Sequence, residues 1–430
     1  MDTSKITIIG GGLAGSEAAY QCAKRGAKVE VLEMKPLRFS PAHTMETLAE
    51  LVCSNSLKSR SVENASGILK EEMRLADSLV VRAANSTRVP AGAALAVDRA
   101  AFSSFITNEL KAMGVVVIRG EVTELPSERP LIIATGPLTS DEFAVRIKEL
   151  VGKESLYFYD AVAPIVYKES IDLSKAFMAS RYGKGGSDYL NCPLSEEEYS
   201  RFVQEITKAD CLSPRPFEDI KVFEACMPVE ALVERGFKTL VFGPMRPTGL
   251  IDPKTGKRPF AVAQLRMENL DGTLYNMVGF QTRLSFSEQK RVFRLIPSLE
   301  SAEFARYGKL HRNTYLNSPG LIENSMQFKK DPGIFFAGQL TGVEGYCESA
   351  ASVLIAGVNG FRRLKGLGPV CPPSSTMTGA LLSHISSGHA GPLQPMNANF
   401  GLLPPISGKN ARESQSRRAI EEFGDWANET

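Results

Sequence analysis

The chain has 430 residues, 43% of them hydrophobic and 23% charged, an ordinary globular composition in a length that predicts two domains rather than one simple core. Its 50 Lys and Arg against 48 Asp and Glu leave a net charge of +2, so no bulk field points to nucleic acid and any such partner must be met by a local patch. No apolar run approaches the roughly 18 residues of a membrane span, the N-terminus leads straight into a strand without room for a signal peptide, and the seven scattered cysteines form no CxxC pair. These features argue against a membrane helix, secretion, a disulfide framework and a zinc site, and predict a cytoplasmic protein.

Residues 5–34 read as a strand, a glycine turn, a helix and a second strand. The turn is Gly10-Gly11-Gly12-Leu13-Ala14-Gly15, and the second strand ends in Glu33, 18 residues beyond Gly15. Gly10 permits a tight turn, Gly12 lets the main chain approach a pyrophosphate, and Gly15 lets the helix pack closely on the sheet. The free N–H groups of the helix then face the anion. An acid at position 33 suits a ribose diol without a 2′-phosphate, as in FAD, NAD or S-adenosylmethionine. Gly26 marks the end of the first helix.

Further along, residues 64–80 and 98–113 carry apolar positions at helical spacing, the second with Asp98 as N-cap. Val115–Ile118 and Leu131–Ala134 read as short buried strands, the latter closed by Thr135-Gly136. From about Pro137 to Asp331 short strand-like runs alternate with Gly-, Pro- and Asn-rich turns, with helical stretches near 194–208 and 285–296. This texture predicts an α+β domain inserted into an α/β fold, with divisions at 1–140, 141–330 and 331–430. Ile334–Gly338 resumes the buried-strand character, a small-residue helix follows over about 346–364, and 368–376 is a linker before a C-terminal appendage and charged tail.

Two later segments favour FAD among the nucleotides. Ile132-Ile-Ala-Thr135-Gly136 resembles the second fingerprint of two-dinucleotide-fold flavoproteins, and Ile334-Phe-Phe-Ala-Gly338-Gln339-Leu-Thr-Gly342 resembles their third. In that reading a helix N-terminus faces the pyrimidine end of the isoalloxazine. The bland reading is two ordinary strands closed by glycine turns; three motifs in the right order, with an insertion between the last two, favour the nucleotide.

Two cysteines carry candidate chemistry. Cys53 lies in the polar segment Leu51-Val-Cys-Ser-Asn-Ser-Leu-Lys58, and Cys226 lies in Val222-Phe-Glu-Ala-Cys-Met-Pro228. An ordinary thiol is only a few per cent ionised at pH 7, and a nearby cation or helix N-terminus raises that fraction. Cys22, Cys192, Cys211, Cys347 and Cys371 are read as small packing residues. Together with the glycine turn, these blocks and Phe242-Gly-Pro-Met-Arg-Pro-Thr-Gly249, Ala337–Tyr346 and Gln394–Pro405 resemble the folate- and FAD-dependent tRNA (uracil-5-)-methyltransferases of bacteria, from the first strand to about residue 406.

That resemblance implies a glutathione-reductase-type FAD-binding Rossmann domain interrupted by an insertion domain. It implies methylation of a T-loop uridine, with 5,10-methylenetetrahydrofolate as carbon donor, reduced FAD as reductant and carbon relay, and NADPH or NADH to re-reduce the flavin. A thiolate adding at uracil carbon 6 makes carbon 5 nucleophilic, and a base then removes the carbon 5 proton. Cys226 is favoured as nucleophile and Cys53 as its proton-handling partner, with the reverse order left open. The alternatives are the same chemistry on ribosomal RNA, the larger flavoprotein that modifies wobble uridine, and an RNA-binding flavoprotein without methyl transfer.

Between Lys238 and Arg294 ten Lys and Arg face four acids, with Phe260, Tyr275, Phe280, Phe286 and Phe293 interleaved. Such a stretch suits phosphates and stacked bases, and Arg246, Lys257, Arg258 and Arg283 are the candidate RNA contacts; the bland reading is a solvated face over core aromatics. His311 and Arg312 form a polar cluster before the third motif, either near the ligands or at a hinge, and Glu344 and Tyr346 either approach the flavin or cap the helix. His43, His384 and His389 form no constellation.

Overall fold

The computed structural model describes residues 5–152, 156–183, 186–212, 227–387, 393–408 and 410–430, with backbone alone at 156–160, 311 and 312. Cys226 and His389 lie outside the described residues, as do the side chains of His311 and Arg312.

The first sheet has six strands in the order Gln327–Phe328, Asp331–Phe336, Leu131–Ile133, Lys5–Ile9, Lys28–Glu33 and Val116–Arg119. All neighbours are parallel except the first pair. The near-continuous Ile, Val and Leu runs of these strands suit a parallel sheet covered on both faces. The helix Tyr346–Leu364 packs on the helix Leu13–Lys24, and small residues make this possible: a Cβ at Gly357 would stand 2.9 Å from Gln21 Cβ and 3.0 Å from Ala18 O.

The second sheet is antiparallel, in the order Phe177–Met178, Tyr189–Leu194, Ala261–Met267, Leu274–Met277, Ile165–Tyr167 and Phe304–Arg306. Its core draws on residues 166–302, including Tyr199, Phe202, Phe280 and Phe293. The apolar faces of the helix Asp141–Val151 and of residues 316–328 serve the first core instead. We place the inserted unit's own core within that narrower stretch, inside the 141–330 expected from texture. A two-stranded ribbon, Leu156–Ala161 with Leu310–Tyr315, carries the chain into and out of it.

Two local expectations change. The helical stretch 64–80 is two helices, Ala65–Leu75 and Leu79–Ser86, broken where Asp77 adopts φ 55°. The break is held by the buried Glu17 carboxylate, which accepts from Ser78 Oγ at 2.8 Å and from Val80 N–H at 2.9 Å. The charged tail forms the helix Ala411–Glu429, which buries Ala419 and Phe423. The expected N-cap stands: Asp98 accepts from Ala101 N–H at 2.9 Å and opens the helix Arg99–Ala112.

Candidate active site

The first glycine motif folds as a nucleotide cradle. Gly10 has φ +99° and its missing Cβ would lie 2.6 Å from Ala134 O; a Cβ on Gly15 would lie 1.7 Å from Gly10 O. Gly12 differs, because a Cβ there meets nothing within 4 Å: this face is open. Gly12 also begins the helix Leu13–Lys24 without a side-chain cap, which leaves that helix end suited to an anion. Buried Glu33 accepts from Gly11 N–H at 2.6 Å and from Lys35 N–H at 2.9 Å, which fixes its carboxylate beside the turn while lone pairs remain for a diol. Glu33, Gly10, Gly12, Thr135, Ser140 and His43 share a cavity of about 70 Å³. Gly136 has φ +68°, and Thr135 Oγ1 stands 2.6 Å from Thr139 Oγ1.

The third motif meets the first. Gly338 has φ +77°, and a Cβ there would lie 2.8 Å from Ala14 Cβ. Gly342 has φ +85°, and a Cβ there would lie 2.4 Å from Leu393 Cδ2. Gln339 Nε2 donates to Glu344 Oε2 at 2.7 Å. Leu13 and Ala14 are buried at this junction. The open face at Gly12, the fixed acid at Glu33 and the contact of Gly338 with the first helix together fit a dinucleotide of the FAD type.

A larger cavity, about 290 Å³, adjoins the third motif and is lined by Cys53, Lys58, Gln281, Asn313, Gln339 and Tyr346, among others. The half-buried Cys53 is held by its own backbone. Its N–H donates to Tyr346 Oη at 2.8 Å, while its carbonyl accepts from Arg99 Nη2 at 2.9 Å and Arg306 Nη2 at 3.1 Å. Burial lowers the Arg306 guanidinium to about 10, with the Arg99 charge adding to the effect. Burial first, then the Cys53 neighbour, pushes the Tyr346 phenol well above its ordinary value, so it is a neutral hydroxyl. Arg99 also pairs with Glu268, which follows the strand Ala261–Met267 of the second sheet. Arg266, from the same strand as that sheet's centre, donates to Asn55 Oδ1 at 2.9 Å and Ser54 Oγ at 3.3 Å.

Cys53 and the third-motif residues Gln339, Glu344 and Tyr346 thus share one cavity, and the first and second motifs share the other. The chain beyond Cys226 joins the larger cavity's wall: Val229 N–H donates at 2.8 Å to the carbonyl of Gln281. Arg99, Arg266, Arg306 and Asn313 are site residues that sequence reasoning missed. Single polar residues distant in the chain carry no spacing signal, and only their convergence on the segment around Cys53 in the fold distinguishes them.

Of the remaining cysteines, Cys22, Cys192 and Cys347 are buried, as expected for packing residues. Cys211 is half-buried and Cys371 is exposed, which corrects the packing assignment of Cys371: it follows the helix end in a surface linker with little to pack on.

The basic stretch is mixed. Arg246, Lys257 and Arg258 are exposed, close in chain to Phe242, which is 79% exposed. Arg181 donates to Arg246 O at 2.8 Å and brings the exposed Tyr182 into the same region. Arg283 instead faces buried Glu230, at 3.6 Å, and Glu234, at 3.4 Å. Tyr275, Phe280 and Phe293 are core residues, so the interleaved aromatics serve packing at these positions; Phe286 is exposed. Among the described residues no helix is long and apolar enough to cross a membrane, and no group of three or more His, Cys, Asp and Glu is placed to hold a metal.

Fold and cavities together define a three-motif dinucleotide-binding α/β protein with an inserted antiparallel domain and a thiol at the junction. The chain belongs to the glucose inhibited division protein A family, whose model matches residues 5–368. It is 56% identical over 430 residues, 99% of each chain, to the methylenetetrahydrofolate–tRNA-(uracil-5-)-methyltransferase TrmFO of Geobacter sulfurreducens. It is 56% identical over 419 residues, 97% of this chain and 96% of the relative, to the TrmFO of Moorella thermoacetica. The crystal structure of Aquifex aeolicus GidA superposes with a TM-score of 0.73 at 17% identity, covering 99% of this chain and 75% of that one, a likeness of fold.

Proposed function

We propose that this protein methylates carbon 5 of a uridine in the T-loop of tRNA, taking the carbon from 5,10-methylenetetrahydrofolate. Full-length identity above one half to relatives bearing that activity in their names supports this reading. The observation that carries it in the fold is the cavity that joins Cys53 to the third nucleotide motif. FAD, when bound, supplies the reducing equivalents, drawn from NADPH or NADH. Gly10 to Gly15, Glu33, Thr135, Gly136, Gly338, Gln339 and Gly342 are the residues that would hold it.

The chain's own residues carry the rest. Arg99 and Arg306 hold the carbonyls of residues 51–53, so the thiol of Cys53 is presented to the cavity on a fixed backbone. Cys226 supplies the thiolate that bonds to carbon 6 of uracil; the ring's electron pair moves to carbon 5, which bonds to the one-carbon unit. Cys53 then takes the carbon 5 proton, and the bond from carbon 6 to sulfur breaks, returning the Cys226 thiolate and restoring the ring's double bond; the folate nitrogen leaves the one-carbon unit as a protonated amine, and a hydride equivalent, which reduced FAD would supply, completes the methyl group. The target base leaves its stack to reach this depth. Arg246, Lys257 and Arg258, with the exposed rings of Phe242 and Tyr182, form the face that meets the RNA backbone and bases. Arg283 is a weaker candidate, because its charge is already matched by Glu230 and Glu234. A cytoplasmic location fits a tRNA-modifying role.

The test is incubation of pure protein with unmodified tRNA, labelled methylenetetrahydrofolate and NADPH. Label is expected in 5-methyluridine of tRNA, with ribosomal RNA as the comparison substrate. Cys53→Ala and Cys226→Ala are each expected to abolish transfer while RNA binding persists. Label that enters ribosomal RNA in preference to tRNA, or no label with yellow, folded protein, refutes the reading.

A further inference from the structure

Asn313 is completely buried, yet among the described residues neither its Oδ1 nor its Nδ2 meets a hydrogen-bond partner. It lines the same cavity as Cys53. Buried amides are almost always paired, so a side chain with both a donor and an acceptor free in a cavity wall asks for a ligand that offers both. Its backbone is not free to adjust. Asn313 stands in the ribbon Leu310–Tyr315, in register with Phe158, and the next residue, Thr314, donates its N–H to Pro137 O at 2.8 Å. The amide is therefore preorganised rather than idle.

Arg266, which the inserted sheet sends into this wall, is already engaged. Arg266 donates to Asn55 and Ser54. Gln339, on the nucleotide side, is paired with Glu344. Asn313 is left with an acceptor beside a donor. A uracil ring presents the complement: its N3–H donates and its O4 accepts, side by side. The flavin's pyrimidine end presents the same imide edge, but the nucleotide motifs bring their own residues, Gln339 to Glu348, to this cavity. Asn313 comes from the chain between those motifs, together with Gln281 and Arg266.

We propose that Asn313 reads the imide edge of the target uracil, with Oδ1 accepting from N3–H and Nδ2 donating to O4. This holds the ring in the cavity for attack at carbon 6, and it rests on the uracil-methylation reading above. Asn313 makes no bond to a reacting atom in this scheme; it orients the ring, and the pairing strengthens as O4 gains negative charge when sulfur adds.

Two variants test it, measured as kcat and KM for unmodified tRNA. Asn313→Leu removes both partners and is expected to lower kcat/KM about 10- to 100-fold, the loss typical of one or two hydrogen bonds, with FAD content and the visible flavin spectrum unchanged. Asn313→Asp keeps the shape and is unable to donate to O4 when ionised. Its activity relative to wild type is expected to rise as pH falls through the titration of the new carboxyl, because the protonated acid both donates and accepts. A merely structural role produces no such profile. Asn313→Leu methylating at the wild-type rate, or Asn313→Asp matching wild type with no pH dependence of the ratio, overturns the proposal. So does a shifted flavin spectrum or weakened FAD binding with tRNA kinetics intact, which assigns Asn313 to the flavin edge. Wild-type protein that fails to methylate tRNA overturns the underlying reading instead.

Discussion

Replacing Gly12 by alanine separates ligand binding from folding. Gly12 has φ −69° and ψ −170°, a conformation alanine adopts freely, and the new methyl would meet no protein atom within 4 Å. The ligand-free protein is therefore expected to melt at the wild-type temperature. The space the methyl enters is the open face above the uncapped start of the helix Leu13–Lys24, where a pyrophosphate would seat. Pushing the phosphate outward lengthens one or two charge-assisted hydrogen bonds, worth about 1.5–3 kcal/mol each. The expected loss of FAD affinity is then roughly tenfold to ten-thousandfold. Gly15→Ala is the contrast: its Cβ would sit 1.7 Å from Gly10 O, so the turn has to open and the apoprotein itself is expected to melt early. Flavin titration by absorbance and thermal melting of both apoproteins read the two effects. Gly12→Ala binding FAD at wild-type affinity, or destabilising the apoprotein as Gly15→Ala does, refutes the cradle.

Removing Arg246, Lys257 and Arg258 together is expected to weaken tRNA binding and to flatten its logarithmic salt dependence by about two units; an unchanged slope excludes this face. Arg283→Ala is expected to leave that slope intact and to lower thermal stability, because it strips the partner from buried Glu230. Burial raises the Glu72 carboxyl to about 8 against an ordinary 4.5. The folded state therefore keeps the proton where the unfolded chain has lost it: its contribution is complete below pH 4.5, declines by up to about 1.4 kcal/mol per pH unit as pH rises towards 8, and is flat above. Denaturant melts of wild type and Glu72→Gln from pH 5 to 9 check this, and equal slopes refute it. Arg306→Met leaves the carbonyls of Val52 and Cys53 short of a donor, at about 1–3 kcal/mol. Faster alkylation of Cys53 with unchanged FAD content is expected, and an unchanged rate refutes the clamp.

The nucleotide half was legible because its physics is local. Gly10, Gly12 and Gly15 announce themselves by spacing, and the turn and helix start they serve are set within a few residues of chain, even though the Cβ that Gly10 lacks would meet Ala134 of the second motif. The helix 98–113 and its Asp98 cap were legible for the same reason. The break at Asp77 was not, because the carboxylate that captures the second helix belongs to Glu17, about sixty residues earlier. The basic stretch misled in part. A run of sequence records Arg246 and Arg283 alike, but exposure leaves the first available while Glu230 and Glu234 occupy the second. Periodicity likewise does not separate Phe293, a core ring, from Phe286, an exposed one.

What lay furthest from view is the support around Cys53, and its form explains why. Arg99 opens a helix of the first core and pairs with Glu268 of the second. Asn55, two residues beyond the thiol, donates to Val97 O in one unit and to Met267 O in the other, while Arg266 reaches back to Asn55. Asn55, Arg266 and Glu268 are buried and Arg99 nearly so, and parting the two units would break the Arg99–Glu268 pair, the Arg266–Asn55 bond and the Asn55–Met267 bond. Seating the inserted unit and shaping the surroundings of the thiol are therefore one event. The polar residues that join the units are the same residues that hold the 51–55 segment, so looseness at the junction and misplacement of Cys53 arise together.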